Sequence, residues 1–281
     1  MSEAIQLQLP ERSVAANEAW FARVGLRAPS TLSDLLHLMG VDDGDRHATD
    51  ALAMPVRQMH AESTLFHEGA AAEAIYFVRA GTFKCFQTAE DGYEQVLGFA
   101  CRGDVLGFDA VCSAKHPSAA VALEDSSVYV VPVRDLFSLG ERAPALNRVL
   151  HVAISRELMR RGEVADVMAA VGAEVRLARF LVQLSGRMAA CGQSPRRIVL
   201  RMSRRDIASH LGVAHETVSR SFSALAEHGY LCVRNREVEI LDLEGLRDSS
   251  RSTRGLAEET KQRHRAQGPD QRIDALHGAF A

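Results

Sequence analysis

Residues 203–229, SRRDIASHLGVAHETVSRSFSALAEHG, constrain the fold of this 281-residue chain more than any other stretch. Ser203 is a good helix N-cap, and Ile207 and Leu211 lie four apart on one face of a first short helix. Gly212 follows, where the chain must turn. A second helix then repeats apolar residues at spacings of four and three, at Val218, Phe222 and Leu225. Two short helices joined at a glycine predict a helix-turn-helix unit.

The second helix carries polar residues away from its apolar stripe, at Glu216, Ser219 and Arg220. Arginine can bond both acceptors of guanine, glutamate can accept from cytosine N4, and serine can serve either kind of edge. This helix is therefore predicted to read base edges in a major groove. Five further residues are predicted to contact the DNA backbone: Ser203, Arg204, Arg205, His215 and Thr217.

The simpler alternative is a solvated helical hairpin with a surface pair between Glu216 and Arg220. Local charge favours DNA instead. Residues 196–236 hold eight arginines against three acids, a net charge of +5 in a chain whose net charge is −3. Such a localised basic patch is an electrostatic footprint for phosphate. The next segment, YLCVRNREVEILDL, alternates around a polar turn and predicts a hairpin that serves as a wing.

The predicted fold class is α+β, in five segments. Residues 51–140 have short strand-like runs between turn signals, which is typical of a β-roll of jelly-roll type. The other segments are an N-terminal extension with a short helix capped by Ser30 or Ser33 (1–50), a long helix (141–171), a winged helix-turn-helix domain (172–246) and a polar, disordered tail (247–281).

The long helix repeats apolar residues at three and four over a length that exceeds a typical globular helix. Such a stripe is predicted to pack on the same helix of a second subunit as a coiled coil, with the small Ala153 allowing close approach. The alternative is that the helix packs only on its own β-roll. The predicted dimer residues are Leu146, Val149, Leu150, Ala153, Ile154 and Leu158.

Other classes of protein find little support. The N-terminus has early acids without a continuous apolar core, and no apolar run approaches a membrane span, so a cytoplasmic protein without a membrane partner is expected. The five cysteines, at 85, 101, 112, 191 and 232, include no CxxC, which fits a reducing compartment. No Ser-His-Asp context, P-loop, GxGxxG or HExxH indicates an enzyme.

With these features in this order, residues 50–246 resemble the Crp/Fnr family of bacterial transcription regulators. The likeness to the Fnr branch is closest in LFHEGAAAEAIYFVRAGTFKCF, DGYEQVLGFACRGDVLGFDAVCSAKHPSAAVALEDS and RRDIASHLGVAHETVSRSF. The Fnr-type Glu-x-x-Ser-Arg signature is matched by Glu216, Ser219 and Arg220. The resemblance implies a homodimer on double-stranded DNA at a palindrome like TTGAT…ATCAA, with RNA polymerase as a partner and genes of low-oxygen or redox-linked metabolism as targets.

The same resemblance implies an iron–sulfur cluster or a cyclic nucleotide as effector, but this sequence lacks the residues that would bind either one. An iron–sulfur cluster of the Fnr type needs cysteines near the N-terminus and one in the β-roll, but residues 1–84 contain none and the β-roll position falls at Tyr129. In the cyclic-AMP branch a Glu and an Arg-Ser pair hold the nucleotide. Phe108 and the pair Pro117-Ser118 stand there instead. No cofactor is therefore expected.

Three interpretations of the signal stay open. One is a cluster-less regulator of the FixK kind, controlled by its own abundance. Another is thiol sensing at Cys232 near Arg234, against the alternative that the cysteines are small apolar fillers. The last is haem, with His116 and His151 as candidate axial ligands. A β-roll ligand-binding module that regulates a partner protein is the competing function, and it would have no use for the base-reading residues.

Overall fold

The computed structural model describes residues 30–42, 49–136 and 143–251. The chain divides into two compact units, Met1–Gly162 and Glu163–Ala281. The boundary falls inside the long helix, at the glycine that interrupts its apolar stripe. Within the described ranges, none of the helices is long and apolar enough to cross a membrane.

The first unit is a β-roll, as the sequence predicts. Its strands are β1 (Ser30–Thr31), β2 (Ala53–Met54), β3 (Val56–Met59), β4 (Thr64–Phe66), β5 (Ala74–Ala80), β6 (Thr82–Thr88), β7 (Glu94–Cys101), β8 (Val105–Leu106), β9 (Ala119–Ala122) and β10 (Ser126–Pro132). Two four-stranded antiparallel sheets form, in the orders β3-β10-β5-β8 and β4-β9-β6-β7, while β1 pairs with β2. Two packed antiparallel sheets of this kind define a jelly roll.

Strand β5 shows why the roll has two layers of core, since its side chains are buried on both faces. Tyr76 and Val78 belong to a cluster that draws on both sheets and fills the space between them. Ile75 and Phe77, which alternate with them, belong to a second cluster on the outer face of the β3-β10-β5-β8 sheet. A strand buried on both faces needs a further layer of structure over the sheet.

Two helices supply that layer: α1 (Leu32–Met39) and the first part of α2 (Pro144–Ala169). The cap of α1 is Thr31, in a capping box with Asp34, rather than the predicted Ser30 or Ser33. Helix α1 ends at Gly40, whose φ of 66° is left-handed. Four of its apolar side chains are buried in the outer cluster: Leu32, Leu35, Leu36 and Met39.

Helix α2 corrects the predicted dimer stripe. Leu146, Val149 and Ala153 are buried in the outer cluster of their own protomer, with exposures of 1%, 0% and 2%. Leu150 packs against the same cluster. The prediction that the three buried residues face a second subunit is wrong, because the apolar outer face of the sheet must be covered and α2 covers it. Two of the predicted dimer residues differ: Ile154 is half-buried and Leu158 is 66% exposed.

The second unit contains α3 (Ala173–Ala190), α4 (Arg204–Leu211), α5 (His215–Glu227), α6 (Leu243–Arg251) and the strands β11 (Arg197–Val199), β12 (Leu231–Arg234) and β13 (Glu237–Ile240). The strands form an antiparallel sheet in the order β11-β13-β12. Helix α6 runs past residue 246 into the predicted tail. Leu246, the last residue of the predicted domain, is fully buried, and in the predicted tail the backbone carbonyl of Ser250 accepts from Arg179 Nε at 2.8 Å. The rest of that tail, from 252, and residues 1–29 of the extension lie outside the described residues.

Candidate nucleic-acid interface

The first helix of the candidate interface, α4, begins at a reciprocal cap. The backbone N–H of Asp206 donates to Ser203 Oγ at 3.1 Å, and the N–H of Ser203 donates to Asp206 Oδ2 at 2.8 Å. Two backbone donors that no helical carbonyl can satisfy are thereby bonded. The Ser203 hydroxyl, predicted to contact the DNA backbone, also donates to Asp206 Oδ2 at 2.6 Å. In the structure its role is to fix the start of α4.

The turn between the two helices depends on Gly212. Its φ of 62° is left-handed, and a Cβ added there would lie 3.0 Å from the terminal methyl of Met168. The following residue, Val213, returns its N–H to the carbonyl of Ala208 at 3.0 Å. This arrangement closes α4 with a glycine cap and sends the chain directly into α5. The helix-turn-helix predicted from the sequence is present at the predicted residues.

Helix α5 divides into a buried face and an exposed face. Val218, Phe222 and Leu225 are buried, with exposures of 1%, 4% and 0%. The three predicted base-reading residues all lie on the exposed side: Glu216, Ser219 and Arg220. The N-cap, Ala214, has no side-chain cap. The first N–H groups of α5 therefore have no capping side chain, and a helix N-terminus in that state attracts anions such as phosphate.

Arg220 is oriented by its own helix. Its Nη2 donates to Thr217 Oγ1 at 3.2 Å, so the guanidinium is steered by a hydroxyl one turn earlier. Among the described ion pairs none joins Arg220 to Glu216, and the simpler alternative of a surface pair is not realised. Thr217, predicted to contact the DNA backbone, thus orients one of the predicted base-reading residues. His215 is exposed at the first position of the helix, and its carbonyl accepts from Ser219 Oγ at 3.5 Å.

The two adjacent arginines at the start of α4 differ. Arg205 is exposed, as a phosphate contact requires. Arg204 is folded back: its guanidinium carbon lies 3.4 Å from the centroid of the Phe222 ring, and its Nη2 donates to the carbonyl of Asn235 at 3.3 Å. Burial lowers the pKa of Arg204. Sequence reasoning gave both arginines the same role because it could not see the ring.

The basic patch of the sequence surrounds this interface. Apart from Arg204, its arginines are exposed: Arg196, Arg197, Arg201, Arg205, Arg220, Arg234 and Arg236. Two of them also hold the sheet, since Arg196 Nη1 donates to the carbonyl of Leu241 at 3.0 Å and Arg197 lies 3.5 Å from Glu239. Arg234 and Arg236 flank the β12–β13 turn, and their place at the wing tip was not singled out from the sequence.

The β-roll residues compared above with ligand positions lie close together in the chain. Phe108 follows Gly107 in a short 3₁₀ helix, Phe108–Ala110, and is half-buried. Next to Pro117, the ring of His116 is buried and stacks on Phe66, with centroids 3.9 Å apart and an interplanar angle of 9°. Its Nδ1 is buried without a hydrogen-bond partner. Burial lowers the pKa of His116, and the negative charge of Asp109 acts in the opposite direction.

The cysteines and Tyr129 complete the set of predicted sensor residues. Tyr129 is buried, and its hydroxyl accepts from Ser30 Oγ at 3.3 Å. All five cysteines are free thiols, and burial raises the pKa of Cys85 to about 12. Cys232 is half-buried in β12, and the residue directly opposite it is an acid, Glu239. Within the described ranges, no three His, Cys, Asp or Glu side chains are grouped to hold a metal ion.

A β-roll followed by a winged helix-turn-helix, with a basic surface around an exposed second helix, is the architecture of a DNA-binding protein. Comparison with known proteins agrees with this class. Residues 175–249 match the model of the Crp-like helix-turn-helix domain, and residues 56–143 match that of the cyclic nucleotide-binding domain.

Individual relatives extend over most of the chain. The transcriptional regulatory protein btr of Bordetella pertussis is 35% identical over 209 residues, 74% of this chain and 86% of that protein. The fumarate and nitrate reduction regulatory protein of Escherichia coli K12 is 37% identical over 194 residues, 69% of this chain and 78% of that protein. The structure of FixK2 from Bradyrhizobium japonicum superposes with a TM-score of 0.62 at 27% identity, covering 73% of this chain and 99% of FixK2.

The chain belongs to the Crp/Fnr family of transcription regulators. The fold predicted from the sequence and the DNA-binding regulatory function are thereby confirmed. These relatives are transcription regulators rather than enzymes.

Proposed function

We propose that this regulator binds, as a cytoplasmic homodimer, to a palindrome of the TTGAT…ATCAA type. The observation that carries the proposal is the exposed triplet of Glu216, Ser219 and Arg220, with Arg220 steered outward along the helix by Thr217. Hydrogen-bonding side chains of these types, on a helix that presents them to a major groove, discriminate among base pairs. Two recognition helices of a dimer then read the two halves of the palindrome.

A face of α2 that its own unit leaves open supports the dimer. Ser155, Leu158 and Gly162 are exposed at spacings of three and four, and a Cβ added at Gly162 would meet nothing within 4 Å. The same spacing continues along the helix to Ala165 and Ala169. A stripe of small residues around an exposed leucine at heptad spacing suits the close approach of a second helix. The dimer seam is thus displaced around α2 from the stripe that the sequence predicted.

The target genes are proposed from similarity. The Escherichia coli relative is named for the reduction of fumarate and nitrate, which are electron acceptors other than oxygen. A regulator with the same base-reading signature is proposed to control genes of low-oxygen or redox-linked metabolism. RNA polymerase is proposed as the protein partner from the same family resemblance.

The β-roll is proposed to work without a cyclic nucleotide, the ligand that its fold implies. The residues do not fit that ligand: Phe108 offers no acid to ribose hydroxyls, and Pro117 offers no charge to a phosphate. The hydroxyl-bearing Ser118 is buried, and the stacked rings of His116, Phe66 and Tyr76 occupy the space between the sheets.

An iron–sulfur cluster, a haem and a reactive thiol at Cys85 find no better fit. The position of the β-roll cluster ligand is filled by the buried Tyr129, bonded to Ser30. A haem beside His116 would have to displace the ring of Phe66. The thiol of Cys85 is a poor nucleophile with a pKa of about 12, since the thiolate is the reactive form. We therefore propose that DNA binding is intrinsic and that activity follows the protein's abundance.

The experiment that tests the base-reading proposal is a competition gel shift with the full chain. Arg220→Ala is expected to weaken binding to the TTGAT palindrome by about 5- to 150-fold and to relax the preference at one base pair, since a bidentate arginine–guanine contact discriminates by about 1–3 kcal/mol. Arg205→Ala is the matched control. It should weaken binding to all sequences alike and reduce the slope of log K against log salt by about 0.9.

The two variants separate the possible failures. If Arg220→Ala keeps the preference of the wild-type protein and lowers only its overall affinity, the base-reading role is refuted. If neither the wild-type protein nor Arg205→Ala prefers the palindrome over scrambled DNA, the assigned target sequence is wrong.

A further inference from the structure

Arg204 joins three elements of the DNA-binding unit. It is the first residue of α4, its guanidinium carbon lies 3.4 Å from the centroid of the Phe222 ring on α5, and its Nη2 donates to the carbonyl of Asn235 in the β12–β13 turn. Its Nη1 is buried without a hydrogen-bond partner. A guanidinium that covers a ring with its plane and has a buried nitrogen is poorly placed to reach a phosphate outside the protein.

The turn that Arg204 contacts carries two exposed cations. Asn235 has a left-handed φ of 56° and lies between Arg234 and Arg236. On the other side of the turn, the N–H of Leu200 donates to the carbonyl of Arg236 at 2.8 Å. Two bonds from outside the hairpin therefore reach consecutive carbonyls of the turn, one from Leu200 and one from Arg204. Together they hold the backbone of the turn that carries the wing arginines.

The contact with Phe222 relates this turn to the recognition helix. Phe222 lies on the buried face of α5, two residues after Arg220. Because both residues belong to one helix, a contact that holds Phe222 also holds the side of α5 that carries Arg220. A planar guanidinium can stack on a ring and still donate from its edge, whereas the ammonium of lysine has no plane to stack. The arrangement thus depends on the shape of arginine as well as on its charge.

We propose that Arg204 is a positioning residue, which sets the wing arginines relative to the recognition helix so that both engage one DNA site. It acts through Phe222 and Asn235, and it is not one of the phosphate contacts that the sequence predicted. This inference rests on the proposed DNA-binding function for its consequence, but the positioning itself is a property of the free protein.

The first test is therefore made without DNA. Hydrogen exchange of the full-length protein is followed by mass spectrometry in peptides that cover Leu200 and residues 234–237. Arg204→Lys, which keeps the charge and loses the plane, is expected to speed exchange there by about tenfold or more. Arg205→Lys, the same change at the exposed neighbour, is expected to leave exchange unchanged. Equal exchange in Arg204→Lys and the wild-type protein would overturn the proposal.

The second test measures coupling on DNA. Binding of the TTGAT palindrome is measured for the wild type, Arg204→Lys, Arg236→Gln and the double variant. If Arg204 positions the wing, the loss caused by Arg236→Gln shrinks in the Arg204→Lys background, from about tenfold to less than about twofold. If Arg204 is a phosphate contact, lysine retains most of the affinity and the two losses multiply, which refutes the inference.

The two tests also keep the proposals apart. Faster exchange at the wing in a protein that shows no preference for the palindrome would support the positioning role while contradicting the proposed target sequence.

Discussion

Leu246→Ala tests whether α6 belongs to the cooperative core of the DNA-binding unit. Leu246 is fully buried, although it ends the segment that the sequence assigned to the folded domain. The change removes three buried carbons, worth about 0.8 kcal/mol each, and leaves a cavity. Measured Leu→Ala changes in cores lower the free energy of unfolding by about 2.7–5.0 kcal/mol. We expect a loss in this range.

The assay is native-state hydrogen exchange in peptides of α3, the helix that α6 packs against and whose Arg179 donates to the carbonyl of Ser250. A loss of about 2.7–5.0 kcal/mol corresponds to exchange about 100- to 5,000-fold faster at the best-protected amides. Leu241→Ala is the matched control, because Leu241 is 49% exposed and its truncation should change exchange by less than about threefold. Unchanged exchange of α3 in Leu246→Ala would refute the assignment of α6 to this core.

Two other expectations concern the β-roll unit. Burial holds the pKa of His116 below its ordinary value of 6.5, against the opposing charge of Asp109. As pH falls, the unfolded chain therefore takes up the proton before the folded protein does. The contribution of His116 to the free energy of unfolding is complete above about pH 6.5 and is lost as pH falls below that value. His116→Phe should flatten the pH dependence of the urea midpoint between about pH 5 and 7. The control, His67→Phe at an exposed position, should leave that dependence as in the wild type. The same pH dependence of the urea midpoint in both variants would contradict this account. Leu158→Asp should convert the proposed dimer to a monomer, measured by sedimentation, while the secondary structure is unchanged. Leu97→Asp, the same change at an exposed strand position, should leave the oligomeric state unchanged. A dimer that persists in Leu158→Asp would show that the two α2 helices do not meet at Leu158.

The helix-turn-helix could be predicted from the sequence because every feature that builds it is local. The cap of α4 needs Ser203 and Asp206 three residues apart, and the turn needs a residue that tolerates a φ of 62° at position 212. The apolar spacing of α5 then leaves one side for Glu216 and Arg220. Residues close in the chain fixed each of these features, so no knowledge of the tertiary structure was needed.

The dimer stripe could not be assigned in the same way. Periodicity states which residues of α2 share a face, but it does not state which surface covers that face. Leu146, Val149 and Ala153 share one face, and the outer face of the β3-β10-β5-β8 sheet covers it. Two apolar surfaces of one protomer meet at high effective concentration. The sheet therefore packs against this face of α2 more readily than a second subunit does. The exposed part of α2 includes a stripe of smaller residues around Leu158.

Helix α6 and Arg204 were missed for a related reason. Helix α6 offers two leucines among charged and hydroxyl residues, and its burial depends on α3, which lies about 60 residues earlier in the sequence. Arg204 stands in a run of basic residues, and its charge predicted a phosphate contact. Only the fold brings the ring of Phe222 beneath it, 18 positions later in the chain. The charge of Arg204 can be read from the sequence, whereas its contact with the ring of Phe222 depends on the tertiary structure.

The proposal of intrinsic DNA binding implies that the β-roll is stably packed without a bound effector. An effector shifts a regulator between two states only by binding one of them better, which requires a site that differs between the states. In this chain the residues considered for a haem or cluster ligand are packed against other protein groups: His116 stacks on Phe66 between the sheets, and Tyr129 is bonded to Ser30 beneath α1. Arg156 Nη2 of α2 donates to the carbonyl of Met39 at 3.1 Å, so α1 holds α2 as well. These contacts are made by the chain itself, and they are present whenever the protein is folded. On the proposal of intrinsic DNA binding, such a regulator responds to how much of it is made.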